Sequence, residues 1–231
     1  MWTVFTLRVR KPYARLVEDA IPRPYHHGDL RSALLQAGVE LAHEGGIASV
    51  TLRAATRRAG VSAGAAYRHF ANHESLLFAV GGVALADMAR AIERRQADVI
   101  EGTDLERALG MLSAVGLGYI DFALDEPGNF EVAMFGLFTL AHTTMEPARG
   151  ETGRTPYELL VDAVTSLVSL GALRAEESFT VAITYWSTVH GFATLATRGP
   201  LRELPREALD EQAADVVRTL VAGLLPSGSR Q

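Results

Sequence analysis

The sequence predicts an all-α protein of about nine helices, and three observations carry that reading. Apolar residues recur at three- and four-residue intervals through most of the chain. Two pairs, Thr103 with Glu106 and Thr155 with Glu158, have the spacing of capping boxes, in which a hydroxyl and a carboxylate each satisfy the other residue's free backbone amide. No stretch alternates apolar with polar residues as a half-buried strand does. With 231 residues, 48% hydrophobic and 21% charged, the chain has the composition of a globular protein and enough length to bury a real core.

Residues 1–24 show no sustained period and end at Ile21, Pro22, Arg23 and Pro24, where the prolines break a helix and favour extended backbone. They read as a flexible basic leader, or as an arm that follows the minor groove of DNA. Tyr25, His26, His27, Gly28 and Asp29 lead into a first helix that runs through Glu44, with Leu30, Leu34, Ala37, Gly38 and Leu41 on its inner stripe. Asp29 near its start suits the helix dipole, and Gly45 and Gly46 stop it. Thr51 is placed to cap the next helix, whose inner face is Leu52, Ala55 and Ala59. Gly60 supplies the left-handed residue that ends it, Val61 plugs the corner, and Ser62 caps a further helix over residues 63–70. Two short helices joined in this way form a helix-turn-helix, whose second helix enters the major groove. The run Ala63, Gly64, Ala65, Ala66 is small enough for close approach of the backbone, and Tyr67, Arg68 and His69 offer polar groups to phosphates or base edges.

Beyond this motif a long helix is expected to reach about residue 100, with Leu77, Val80, Ala84, Met88 and Ala91 on one side. Gly81 and Gly82 weaken it by about 1 kcal/mol each relative to Ala, marking either a hinge or a close helix crossing. Thr103 opens the next helix, which carries Gly110, Gly116 and Gly118 and ends at Glu126 before Pro127. An apolar helix over 130–140, a loop over 146–154, and a helix from Thr155 to Gly171 follow. The last two helices are expected over 177–197 and 206–225.

Charge is distributed unevenly. Residues 1–24 carry five Lys or Arg against two acids, net +3; residues 25–80 five against four, net +1; residues 81–231 twelve against twenty-one, net -9. Five of the seven histidines (His26, His27, His43, His69, His73) lie in the 25–80 segment. An acidic chain with a positive end is suited to meeting phosphates at that end. There is no cysteine, which excludes disulfides and thiolate metal sites. The opening apolar residues precede their charges, the reverse of a signal peptide. The uncharged run Ser178–Thr197 is long enough to span a bilayer, but its five Thr, two Ser and one His argue against it. A cytoplasmic protein without a membrane contact is expected.

Other chemistries fail on context. Gly60, Ser62 and Gly64 match the nucleophile elbow of a serine hydrolase, but that motif needs a strand leading in, and here a helix does. Gly116 and Gly118 lie inside a helix, so a dinucleotide loop fails the same test. His69 and His73 have metal spacing without a third ligand. No catalytic residue, metal or cofactor is expected.

Gly60-Val61-Ser62, then Tyr67-Arg68-His69-Phe70, then Asn72-x-Glu74-x-Leu76-Leu77 resemble the tetracycline-repressor (TetR) family of bacterial transcription regulators. The resemblance covers residues 25–77. Trp186-x-x-x-His190-Gly191 resembles the Trp-His-Gly signature of one subgroup's C-terminal domain. The chain departs from the family pattern at His73, where Lys is usual, at Thr56 (Ala) and at Ala66 (Leu). The resemblance implies a DNA-binding domain over 25–73 and a ligand-binding and dimerisation domain over 74–231. It implies a homodimer, joined through the last two helices, on a palindromic double-stranded operator. DNA contacts would come from Thr51, Arg53, Ser62, Ala63, Gly64, Tyr67, Arg68, His69 and His73. A small apolar effector that releases the repressor would meet Tyr119, Phe122, Phe135, Phe138, His142, Trp186 and His190. A regulator that senses no ligand is the main alternative, and it would have no cavity.

Overall fold

The computed structural model describes residues 30–136 and 146–224, and every regular element among them is helical. The 1–24 leader, His26, His27 and Asp29 before the first described helix, and the two candidate ligand residues Phe138 and His142 lie outside the described residues. The α-helices among the described residues are α1 (Leu30–Ser49), α2 (Leu52–Ala59), α3 (Ala63–Ala66), α4 (His73–Ala97), α5 (Asp104–Asp125), α6 (Pro127–Phe135), α7 (Pro156–Ser169), α8 (Ser178–Thr197) and α9 (Arg206–Leu224).

Local chemistry sets these boundaries. At the start of α5 the Thr103 hydroxyl accepts from Glu106 N at 3.3 Å while Thr103 N donates to the Glu106 carboxylate at 2.8 Å. Thr155 and Glu158 do the same at α7, at 3.2 and 3.0 Å. A third box, Asn72 with Ser75, opens α4; Ser at the third helical position hides it from a search for Glu or Gln. Each cap satisfies amides that the first turn leaves without partners.

Two apolar cores result. The smaller joins Leu34 and Leu41 of α1, Leu52 and Ala55 of α2, Ala66, Phe70, and Leu76, Leu77 and Val80 of α4. The larger joins the rest of α4, including Met88 and Ile92, to α5, α6, α7, α8 and α9. The smaller core with α1, α2 and α3 is the head, and the larger is the body. α4 runs through both, about 37 Å at 1.5 Å per residue. α6 is shared as well: its Val132 belongs to the head core, its Phe130 and Ala133 to the body core. α4 and α5 are long and apolar enough to cross a membrane, but both are largely buried inside the fold, as core helices are.

Several elements differ from expectation. The chain does leave helical geometry at Gly45 and Gly46, where φ is -150° and 65°, but one more turn follows before Ser49. The second helix of the motif stops at Ala66 rather than 70: Arg68 N and His69 N bond three residues back, to Ala65 and Ala66 O, and the turn closes as Phe70 enters the core. The apolar helix begins at Pro127, not 130, and ends at Phe135. Proline at the first helical position loses no hydrogen bond, so it turns a corner between two helices instead of opening a loop. Gly82 marks a close crossing. α4 is unbroken there, and a Cβ on Gly82 would lie 2.7 Å from Pro147 Cβ.

Candidate nucleic-acid interface and cavity

The head presents one face outward. Thr51 Oγ1 accepts from Ala54 N at 3.1 Å and starts α2. Gly60 ends it at φ 68°, a left-handed conformation that costs a side chain dearly, while Val61 N donates to Thr56 O at 3.0 Å. Ser62 Oγ then accepts from Ala65 N at 3.2 Å and starts α3. The turn is therefore built from backbone and small hydroxyls, and the long polar side chains are left over. All nine residues expected at DNA are exposed: Thr51, Arg53, Ser62, Ala63, Gly64, Tyr67, Arg68, His69 and His73. Tyr67 is 59% exposed, unusual for an aromatic residue with no apolar neighbour to cover it. Among the described residues the side chains of Arg53, Tyr67, Arg68, His69 and His73 make no hydrogen bond or ion pair. Gly64 faces open space, so nothing in the fold requires a glycine there.

Arg57 joins this face and was missed by sequence reasoning. It is exposed and unpaired among the described residues, whereas its neighbour Arg58 is tied to Glu44 at 2.9 and 2.5 Å and braces α2 on α1. Nothing in the sequence separates two adjacent arginines; the fold does, because only Arg58 points at α1.

The body holds a partly open cavity of about 150 Å³. Its wall comes from Leu85, Met88 and Ile92 on α4, Val115 and Tyr119 on α5, and Ala133 and Met134 on α6. Tyr157 and Leu160 of α7 and Tyr185, Trp186 and Val189 of α8 close the other side. Tyr119 and Trp186, both expected at a ligand, line it. His190 stands behind the wall: its Nδ1 lies 2.8 Å from the Tyr119 hydroxyl, which also contacts Met134 Sδ at 3.0 Å. Burial pushes the Tyr119 phenol pKa up and the His190 pKa down, so both are neutral near pH 7.

Phe122 and Phe135 are not brought to the cavity. One turn past Tyr119, Phe122 faces a polar cleft between α1, α4 and the α5–α6 corner, where His43 Nδ1 meets Glu126 Oε2 at 2.6 Å. Phe135 is 43% exposed, packed on His190 at 5.6 Å and covered by the Arg198 guanidinium at 4.9 Å. Both are apolar residues on apolar helices, and spacing alone does not tell which neighbour each will face.

Cavity and head are mechanically joined. The 146–156 segment supplies Ala148 and Pro156 to the cavity wall and sets Pro147 on Gly82 of α4. The Glu93 carboxylate of α4 accepts from Glu151 N, Thr152 N and Thr152 Oγ1 at 2.8, 2.9 and 2.6 Å, pinning that segment to the helix. At the other end of α6, Gly128 lies directly on the Ala42 carbonyl of α1, with no room for a Cβ.

A helix-turn-helix turned outward on an all-helical body defines the class of helix-turn-helix transcription regulators. Residues 34–80 match the family model described as bacterial regulatory proteins, tetR family, and residues 112–220 match the tetracyclin repressor-like C-terminal domain. The chain belongs to the TetR family of DNA-binding regulators. Neither description names the Trp-His-Gly subgroup. Among solved structures, a protein of unknown function from Rhodococcus sp. RHA1 is 27% identical, with a TM-score of 0.64 over 89% of this chain and all of that one. SmeT, solved in complex with triclosan, is 23% identical, with a TM-score of 0.55 over 87% of this chain and 94% of that one. The multidrug binding protein EbrR, solved with imidazole, is 17% identical, with a TM-score of 0.52 over 88% and 99%. The last two likenesses speak for the fold. No curated protein matches the chain.

Proposed function

We propose that the protein is a homodimeric, ligand-responsive repressor in the cytoplasm, whose heads read a palindromic operator and whose cavities hold a small, largely apolar effector. The observation that carries the DNA half is the set of exposed side chains at Arg53, Tyr67, Arg68 and His69, which serve no internal contact among the described residues. Phosphates and base edges are the partners that such groups fit. His73, where the family pattern has Lys, reaches phosphate only as an imidazole. Ala63 and Gly64 add little direct readout, leaving more of the specificity to DNA shape. We assign residues 25–73 to the DNA-binding domain and 74–231 to the ligand-binding and dimerisation domain.

The cavity supports the effector half, since a ligand-independent regulator has no use for one. SmeT and EbrR, which share the fold, were solved with small molecules bound. For the dimer, α8 carries no charge from Ser178 to Thr197, its Leu195 is 45% exposed, and one turn before it Gly191 faces open space. Apolar exposure on such a face fits a second copy packed as a four-helix bundle. Against an enzyme stands Ser62, whose Oγ caps α3 and follows a helix rather than a strand.

An occupant of the cavity presses on α4 and α6, the two helices shared with the head, and changes the separation of the two heads. By reciprocity, an effector that weakens DNA binding binds the DNA-bound form less well, typically by about 1–3 kcal/mol. Selection from random duplexes tests the reading. It should yield a palindrome that binds two protomers, with half-sites about one helical turn apart, and affinity should fall steeply with salt. A monomer that retains no duplex at low salt would overturn it.

A further inference from the structure

We propose that the ligand of the cavity is a neutral molecule of about one aromatic ring with a single hydroxyl, a simple phenol being the type. The inference rests on reading this cavity as the effector site. Size gives the first limit: about 150 Å³ is the volume at which a dry apolar cavity accepts benzene, so one aromatic ring fills the space bounded by the described residues. Charge gives the second. No Asp, Glu, Lys, Arg or His lines the described wall, and an ion moved into it would lose its hydration with no opposite charge on that wall. The carboxylates adjacent in sequence to lining residues are used elsewhere: Asp87 pairs with Arg90, Glu158 with Arg149, and Glu93 accepts from Glu151 N and from Thr152.

The polar groups set the third limit. Tyr185 gives its hydroxyl to Leu112 O at 2.7 Å and has no proton left for a ligand. Tyr119 differs. With the His190 proton on Nδ1, the imidazole donates to the Tyr119 hydroxyl at 2.8 Å, and the phenol proton is left to the Met134 sulfur at 3.0 Å, a weak acceptor. A ligand oxygen is a better acceptor than a thioether, so it displaces the sulfur contact without leaving a buried group unpaired. Tyr157 and Trp186, with ring centroids 6.0 Å apart at 52°, supply an aromatic wall against which a ring packs edge to face.

Calorimetry and thermal shift on the intact protein with p-cresol, toluene, benzoate and dodecanoate decide the matter. The expected order is p-cresol first, toluene about tenfold weaker for want of the hydrogen bond, and no binding by the two anions. In Tyr119→Phe, p-cresol should fall to the level of toluene while toluene is unchanged. Ala133→Leu should abolish binding of both, with Leu160→Phe as a second cavity-filling variant should the first fail to fold. Benzoate or dodecanoate binding as tightly as p-cresol would overturn the ligand class and leave the effector site standing. A p-cresol preference that survives Tyr119→Phe would remove the hydroxyl assignment. No binding by any compound, in a protein that still retains its operator, would overturn the ligand class and the effector reading together.

Discussion

The head and the body use their polar groups in opposite directions. In the head, small hydroxyls close the backbone, at Thr51 and Ser62, and the large polar side chains of Arg53, Tyr67 and Arg68 stand outside. In the body, large polar side chains turn inward. Tyr185 reaches the Leu112 carbonyl, and Tyr119 meets His190 behind the cavity wall. A surface built to meet another molecule leaves its hydrogen-bonding capacity unused, whereas a cavity must satisfy almost all of its own before a ligand arrives. The two regions therefore respond differently to substitution.

The largest effect expected is from their core aromatics. Phe70 is 2% exposed in the head core and Phe130 fully buried in the body core, and truncating either to Ala should cost about 3–5 kcal/mol in denaturant unfolding. Phe70→Ala should lose operator binding first, and Phe130→Ala cavity binding first; identical loss of both in each variant would show one cooperative unit without separable parts.

Acid and base should divide the two regions next. The Glu126 hydrogen bond holds the His43 pKa above its ordinary value, so the stabilisation by this pair is full below that value and disappears as pH rises through the raised one. Burial lowers His190, so its stabilisation is full above the ordinary value and is lost as pH falls through it toward the lowered one. Melting temperatures from about pH 5 to 9 should show His43→Gln costing stability mainly at the acid end and His190→Gln relieving acid sensitivity. Parallel pH curves for wild type and both variants would remove both assignments.

The smallest effect on the fold, and one of the more telling for function, belongs to Gly64→Ala. The new methyl meets nothing in the protein, so melting should be unchanged or slightly raised. Operator affinity should fall if the backbone approaches DNA at this point, and unchanged affinity would show that it does not.

The head was readable in the sequence because its information is local. Thr51, Gly60 and Ser62 are fixed by backbone geometry within a dozen residues, and each recurs in the structure in its expected capping position. The body was readable as helices, and of its cavity wall only Tyr119 and Trp186 were. Leu85, Leu160 and Val189 line the cavity, yet their apolar spacing is that of any core residue, and Phe122 gives the same signal while facing elsewhere. Whether an apolar side chain ends in a core or beside a void depends on which helix lies opposite, and α4 meets α7 and the 146–156 segment through contacts between residues far apart in the sequence.

The central claim is that the exposed side chains of the head bind DNA and contribute nothing to holding the fold. Measuring operator affinity and melting temperature together for Arg53→Ala and Tyr67→Ala tests it directly. The account predicts affinity lowered about tenfold or more in each variant with melting unchanged; full affinity in both, or a matching loss of thermal stability, would contradict it.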